Sequence, residues 1–236
     1  MKTPYVKTPY SKKAENKYYH SGDAEFFTVE AYKLARTNIS LSIIKEGCKK
    51  IVFTSAMASE GKTTTSCNIA AAFSKHLNTK TIIVDCDLRK PSVSKFFKVK
   101  NNPGLTNCLS GMNSLDEVIQ TVPGTNLSVI TAGIIPPNPS ELLASKVFGD
   151  VLDELSKRYD YIIIDTPPIN IVSDVLPVAE KADGVVIVAY EDVSSYSDLD
   201  KAVENLKRCE AKILGFILNG SRKREKKNRK ISSYRR

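Results

Sequence analysis

A chain of 236 residues, 42% hydrophobic and 26% charged, has the length and composition of one globular domain or at most two small ones. Its net charge of +9 sits at the ends: residues 222–236 carry nine Lys and Arg against Glu225, residues 1–20 five Lys against Glu15, and residues 21–221 hold 21 basic against 24 acidic side chains. No run approaches the ~18 apolar residues of a membrane span, the start Met1-Lys2-Thr3-Pro4-Tyr5 lacks a signal-peptide core, and the five cysteines form no C-x-x-C pair, so the pattern excludes secreted, membrane-spanning and disulfide- or zinc-clipped classes. A cytoplasmic protein with reduced thiols is expected.

Residues 1–24 are polar and contain the near-repeat Lys2-Thr3-Pro4-Tyr5 and Lys7-Thr8-Pro9-Tyr10, which reads as a flexible basic arm. The folded domain is expected over 25–221. Ala35, Ile39 and Ile43 recur at helical spacing between Glu30 and Ile44, and Gly47 is placed to stop that helix. Short β-branched runs then alternate with helix-length segments. The runs are 51–54, 81–85, 127–130, 161–165, 184–188 and 213–218, several of them continuously apolar, as strands buried on both faces of a parallel sheet require. Helical stripes come from Ile69, Phe73 and Leu77, from Leu143, Val147, Val151 and Leu155, and from Leu199, Val203 and Leu206. Asn138, Pro139 and Glu141 have the spacing of a capping box at the start of the second stripe. The alternation predicts an α/β fold, a mostly parallel sheet flanked by helices, with ligands at the carboxyl ends of the strands. Residues 222–236 read as a basic tail, solvated and disordered because like charges repel, with an acidic partner or an anionic membrane surface as the functional alternative.

After the first of these strands comes Ala56-Met57-Ala58-Ser59-Glu60-Gly61-Lys62-Thr63-Thr64 and then a helix, the place and form of a phosphate loop, with Ala56 where the usual pattern has Gly. Backbone N–H groups there point at an anion, Lys62 would neutralise the β- and γ-phosphates, and the Thr63 hydroxyl would complete a Mg²⁺ shell. The next strand ends in Asp85-Cys86-Asp87-Leu88-Arg89 and a later one in Asp165-Thr166-Pro167-Pro168. One strand-end Asp is commonly a turn residue, but three beside a phosphate loop suit a metal–triphosphate site with a base for an attacking hydroxyl.

These motifs, together with Pro136-Pro137-Asn138-Pro139-Ser140-Glu141-Leu142-Leu143, closely resemble the bacterial tyrosine kinases of capsule and exopolysaccharide synthesis, over about residues 25–221. The type resembled is the Gram-positive one, in which the kinase is separate from its transmembrane adaptor. The resemblance implies a deviant Walker A ATPase-like P-loop fold that binds ATP and Mg²⁺. It places Ser59, Glu60, Gly61, Lys62, Thr63 and Thr64 at the nucleotide, Thr63, Asp87 and Asp165 at the metal, and Lys62, Asp85 and Asp87 in catalysis. Either Asp85 or Asp87 would be the base, with Asp85 preferred. Asn219 in Gly215-Phe216-Ile217-Leu218-Asn219 corresponds to a residue that contacts adenine in related ATPases; a turn-forming Asn-Gly is the competing account.

The resemblance also implies autophosphorylation in trans, control of polysaccharide polymerisation and export, and recruitment to the inner membrane face by a polysaccharide co-polymerase adaptor. A homo-oligomer and a cognate tyrosine phosphatase are implied as partners. The family's oligomerisation motif E-x-x-R-x-x-R is here Glu30, Lys33 and Arg36, with Lys33 losing the bidentate geometry of Arg. The C-terminal tyrosine cluster is reduced to Tyr234, beside which Tyr5, Tyr10, Tyr18 and Tyr19 are further acceptor candidates. A partitioning-type ATPase would need a lysine where Met57 stands, and a nucleotide-gated scaffold remains the non-enzymatic alternative. With no aromatic stacking platform or base-reading element, specific nucleic-acid binding is not expected.

Overall fold

Apolar runs that bury both faces need helices above and below them, and the computed structural model, which describes residues 5–7, 21–76 and 78–220, has that arrangement. In chain order its elements are β1 (Tyr5–Lys7), α1 (Ser21–Ser42), β2 (Lys49–Ser55), α2 (Lys62–Ser74), β3 (Thr81–Asp85), α3 (Val93–Phe97), α4 (Leu105–Leu109) and α5 (Leu115–Val118). There follow β4 (Gln120–Thr121), β5 (Leu127–Ile130), α6 (Pro139–Ala144), α7 (Lys146–Ser156), β6 (Tyr161–Asp165), α8 (Val175–Glu180), β7 (Gly184–Tyr190), α9 (Tyr196–Arg208) and β8 (Ile213–Asn219). The sheet runs β1-β8-β7-β2-β6-β3-β5-β4, with parallel neighbours except for β4 against β5.

Strand side chains alternate between two cores, as a period of two dictates. Val52, Ile82, Val84, Ile162, Ile164, Val185 and Ile187 face Phe148, Leu152 and Leu155 of α7, Val178 of α8 and Leu206 of α9. Ile51, Phe53, Ile83, Ile163, Val186 and Val188 face Ala35 and Ile39 of α1 and Ile69 and Phe73 of α2. Because β2, β6 and β3 are adjacent and in register, with Asp85 opposite Asp165, the phosphate loop and both acidic strand ends meet at one edge. This register assembles the site.

The arm and the helices differ from expectation in four respects. Tyr5–Lys7, within the expected flexible arm, lies parallel to Phe216–Leu218 as an edge strand, and α1 begins at Ser21 rather than Glu30. The single stripe through Leu143 and Leu155 is two helices. Ser145 is extended (ψ 155) and its hydroxyl accepts from Phe148 N at 3.2 Å, capping α7; the new phase buries Phe148 and leaves Val147 46% exposed. The capping box at α6 is also absent in its reciprocal form, since the Asn138 amide donates to the Glu141 side chain instead of capping the backbone. Leu77, Tyr10, Tyr18, Tyr19 and the tail with Tyr234 lie outside the described residues.

Candidate active site

The loop between β2 and α2 turns on two left-handed residues, Ser59 (φ 67) and Gly61 (φ 84), and α2 starts at Lys62. The first-turn N–H groups of a helix lack intrahelical acceptors, so those of Lys62, Thr63 and Thr64 form an anion cradle. The loop is tied from below. Asn219 at the end of β8 donates from Nδ2 to Glu60 O at 3.0 Å and to Thr65 Oγ1 at 3.1 Å, and a Cβ on Gly61 would stand 2.5 Å from that nitrogen. The buried Glu60 carboxylate accepts from Met57 N at 2.9 Å and from the Ser194 hydroxyl in the β7–α9 turn. Burial pushes its carboxyl up, against the pull of those two bonds.

Lys62 reaches into a carboxylate cluster, with Nζ 3.2 Å from Asp87 Oδ2 and 3.6 Å from Asp165 Oδ2. Burial alone would lower its pKa; Asp165 and Asp87 outweigh that and hold the ammonium above its ordinary value. Asp165 Oδ2 also accepts from Thr63 Oγ1 at 2.6 Å and Asp165 Oδ1 from Ser66 Oγ at 3.1 Å. Asp85 is enclosed by backbone, accepting from Asp87 N at 3.1 Å on Oδ1 and from Ser92 N and Val93 N at 3.2 and 3.1 Å on Oδ2. Burial, reinforced by the charge of Asp165, pushes its carboxyl up to about 8. Asp87 stands nearer the surface and accepts from Lys90 N at 3.0 Å. The preference for Asp85 as sole base therefore meets an obstacle: Asp85 has the proton affinity, but Asp87 has the access.

Among the described residues no three His, Cys, Asp or Glu side chains converge as a metal cage. One hydroxyl beside one or two carboxylates, all hard oxygen donors, fits Mg²⁺, which keeps waters and shares phosphate oxygens rather than filling an all-protein site. An apolar recess lined by Ala35, Ile39, Leu214 and Ile217 shares none of these residues.

The structure thus brings together Lys62, Thr63, Asp85, Asp87 and Asp165. Glu60 and Asn219 support the loop from behind: the Glu60 side chain turns inward, and the amide nitrogen expected to read adenine is bonded to the loop. Glu30 and Lys33 lie elsewhere, on the outer face of α1, paired at 2.7 Å. Arg36 is turned to its own α2, with Nη1 3.3 Å from Ala72 O. Sequence reasoning missed Asp174. Fully buried at the start of α8, it takes both edges of Arg89 (Nε to Oδ2 2.7 Å, Nη2 to Oδ1 3.0 Å) and the Ser140 hydroxyl, clamping the turn that carries Asp87 to α6. The available signal was Arg89 itself, a cation two residues beyond Asp87 that needed an anion.

Comparison with known proteins gives the family. The family described as "AAA domain" matches residues 48–215. The tyrosine-protein kinase YwqD of Bacillus subtilis is 39% identical over 193 residues, spanning 82% of this chain and 81% of that protein. Among solved structures, the chimerical protein CapA2B2 superposes with a TM-score of 0.81 at 32% identity, over 93% of this chain and 95% of that one. The kinase domain of the Escherichia coli tyrosine kinase ETK gives 0.83 at 28% identity, over 92% and 90%.

Proposed function

The chain belongs to the bacterial tyrosine-protein kinases, and from that premise we propose that it transfers the γ-phosphoryl group of ATP to tyrosines of neighbouring copies and thereby regulates capsule or exopolysaccharide polymerisation and export. The observation that carries this reading is the convergence of Lys62 and Thr63 with Asp85, Asp87 and Asp165 behind the Gly61 turn. The amides at the start of α2 would hold the phosphates of ATP, and Lys62 would leave its carboxylates to follow the charge that shifts toward the leaving oxygen. Thr63, Asp87 and Asp165 would hold Mg²⁺, whose chemistry when bound is to neutralise phosphate charge. The acceptor's phenol proton goes to the Asp85–Asp87 pair, with Asp87 the accessible carboxylate and Asp85 behind it, held by the Asp87 backbone N–H.

Tyr234 is the acceptor in the tail, and each phosphate adds nearly two negative charges to a segment of nine Lys and Arg. Glu30, Lys33 and Arg36 contribute to association between copies. No helix among the described residues is long and apolar enough to cross a membrane. The reading accordingly includes recruitment to the inner membrane face by a transmembrane adaptor, and reversal by a tyrosine phosphatase.

Phosphosite mapping by mass spectrometry, after incubation with Mg²⁺-ATP and the adaptor's cytoplasmic segment, tests the proposal. Phosphotyrosine is expected in the wild type and absent in Lys62→Met. Its absence from the wild type, with ATP and adaptor binding both demonstrated, would transfer the reading to a scaffold.

A further inference from the structure

Five tyrosine side chains lie among the described residues, and they differ sharply in access. Tyr32 is buried; Tyr161 is stacked on Phe73 at 4.1 Å with its hydroxyl 3.1 Å from Ser40 Oγ; Tyr159 and Tyr190 are half-buried. Tyr196 is 89% exposed. It opens α9 one residue after the capping Ser195, at the carboxyl end of β7, the neighbour of the strand that leads into the phosphate loop. Its turn is held in shape from below: Ser194 donates to Glu60, and Ser195 Oγ accepts from Asp198 N at 3.0 Å. A phenol that protrudes from a rigid turn can enter the site of another copy without local unfolding.

Charge sorts the acceptors further. Positions 191–200 hold Glu191, Asp192, Asp198 and Asp200 and no Lys or Arg, and Asp200 lies one helical turn beyond Tyr196 on the same face. The rim of the proposed site is of opposite sign, with exposed Lys90 three residues after Asp87 and exposed Lys95 on α3, beside Arg89, whose charge is already paired with Asp174. Tyr234, followed by Arg235 and Arg236, carries charge of the same sign as that rim.

We propose that Tyr196 is a second phosphoacceptor, presented in an acidic context to the basic rim of a neighbouring copy's active site. This rests on the kinase reading above. The Tyr196 oxygen bonds to the γ-phosphorus of ATP as the bond from that phosphorus to the β,γ-bridging oxygen breaks; the phenol proton passes to the Asp85–Asp87 pair of the acting copy, and ADP leaves.

The experiment mixes unlabelled wild-type chain with ¹⁵N-labelled Lys62→Met chain as acceptor, with Asp87→Asn as a second inactive acceptor in case the first folds poorly. Mg²⁺-ATP and the adaptor's cytoplasmic segment are added, and phosphopeptides are mapped by isotope. Phosphate at residue 196 of the heavy chain, dependent on the light one and lost in Tyr196→Phe, is the expected result. Asp200→Lys in the acceptor should reduce that labelling about threefold, the size of one exposed charge contact. Heavy-chain phosphotyrosine at other positions with 196 unmodified would overturn the inference and leave the kinase reading standing. Labelling at 196 of the light chain alone would overturn transfer between copies, and labelling indifferent to Asp200→Lys would overturn the charge argument. Phosphotyrosine on neither chain would end the kinase reading and this inference with it.

Discussion

Gly61 stands at φ 84 with the place of a Cβ 2.5 Å from Asn219 Nδ2, so two independent costs fall on any side chain there. Gly61→Ala should destabilise the fold by about 1–3 kcal/mol, through the left-handed backbone and the displaced amide. It should also weaken ATP binding, because the Asn219 bonds to Glu60 O and Thr65 Oγ1 fix the loop; thermal unfolding and nucleotide titration measure the two effects separately. The carboxylates offer a second test. If Asp85 and Asp87 take the proton as a unit, Asp85→Asn and Asp87→Asn should each slow single-turnover transfer by about 10²–10⁴, and the double variant by hardly more. Multiplied losses in the double variant would separate their roles. That Lys62, Thr63 and three aspartates belong together was legible in the sequence, because strand ends and a loop before a helix are local signals. That backbone N–H groups enclose Asp85 was not, since it depends on how 87–93 folds back over the strand end.

At the scale of elements the clamp of Asp174 on Arg89 and Ser140 joins the Asp87 turn, α6 and the start of α8. Burial pushes the Asp174 carboxyl up, and the Arg89 and Ser140 hydrogen bonds more than offset it, leaving the pKa below its ordinary value. A depressed carboxyl contributes its stability above the unfolded value near ~4 and loses it as pH falls through the folded value. Asp174→Asn should cost about 1–3 kcal/mol at pH 7, the lower part of the range for a buried hydrogen-bonded charge because Arg89 is 45% exposed and can rehydrate. The gap to wild type should hold from pH 7 down to about 4 and narrow in urea titrations as the pH falls further, through the depressed folded value; a gap that does not narrow at all in acid would mean that packing, not charge, carries the effect. Six strands were legible because β-branched runs have few other places to go. The break at Ser145 was not, because Leu143, Val147, Val151 and Leu155 fit one helical period while the actual core residue is Phe148.

At the scale of the whole molecule, α1 packs inward through Tyr32, Ala35 and Ile39, with Ile43 just beyond its end, and leaves an outer face with Glu30 and Lys33, alongside Leu34 and Leu41 exposed at 56% and 74%. Association through this face must exchange the Glu30–Lys33 pair for contacts between copies, so it competes with a contact already made. An exposed pair of this kind contributes about 0–1 kcal/mol, and the competition is therefore weak. Arg36, bonded to Ala72 O, is the costlier residue to recruit, since leaving would give up a backbone acceptor on α2. Lys33→Arg supplies the bidentate fork that Lys lacks and should tighten self-association several-fold, whereas Glu30→Lys places like charges together and should abolish it. Sedimentation velocity over a concentration series, at low salt and again at 0.5 M where exposed ion pairs are screened, distinguishes the cases. If Glu30→Lys assembles as the wild type does, the interface lies elsewhere; if assembly persists unchanged after tyrosine phosphorylation, association is not governed by the modification.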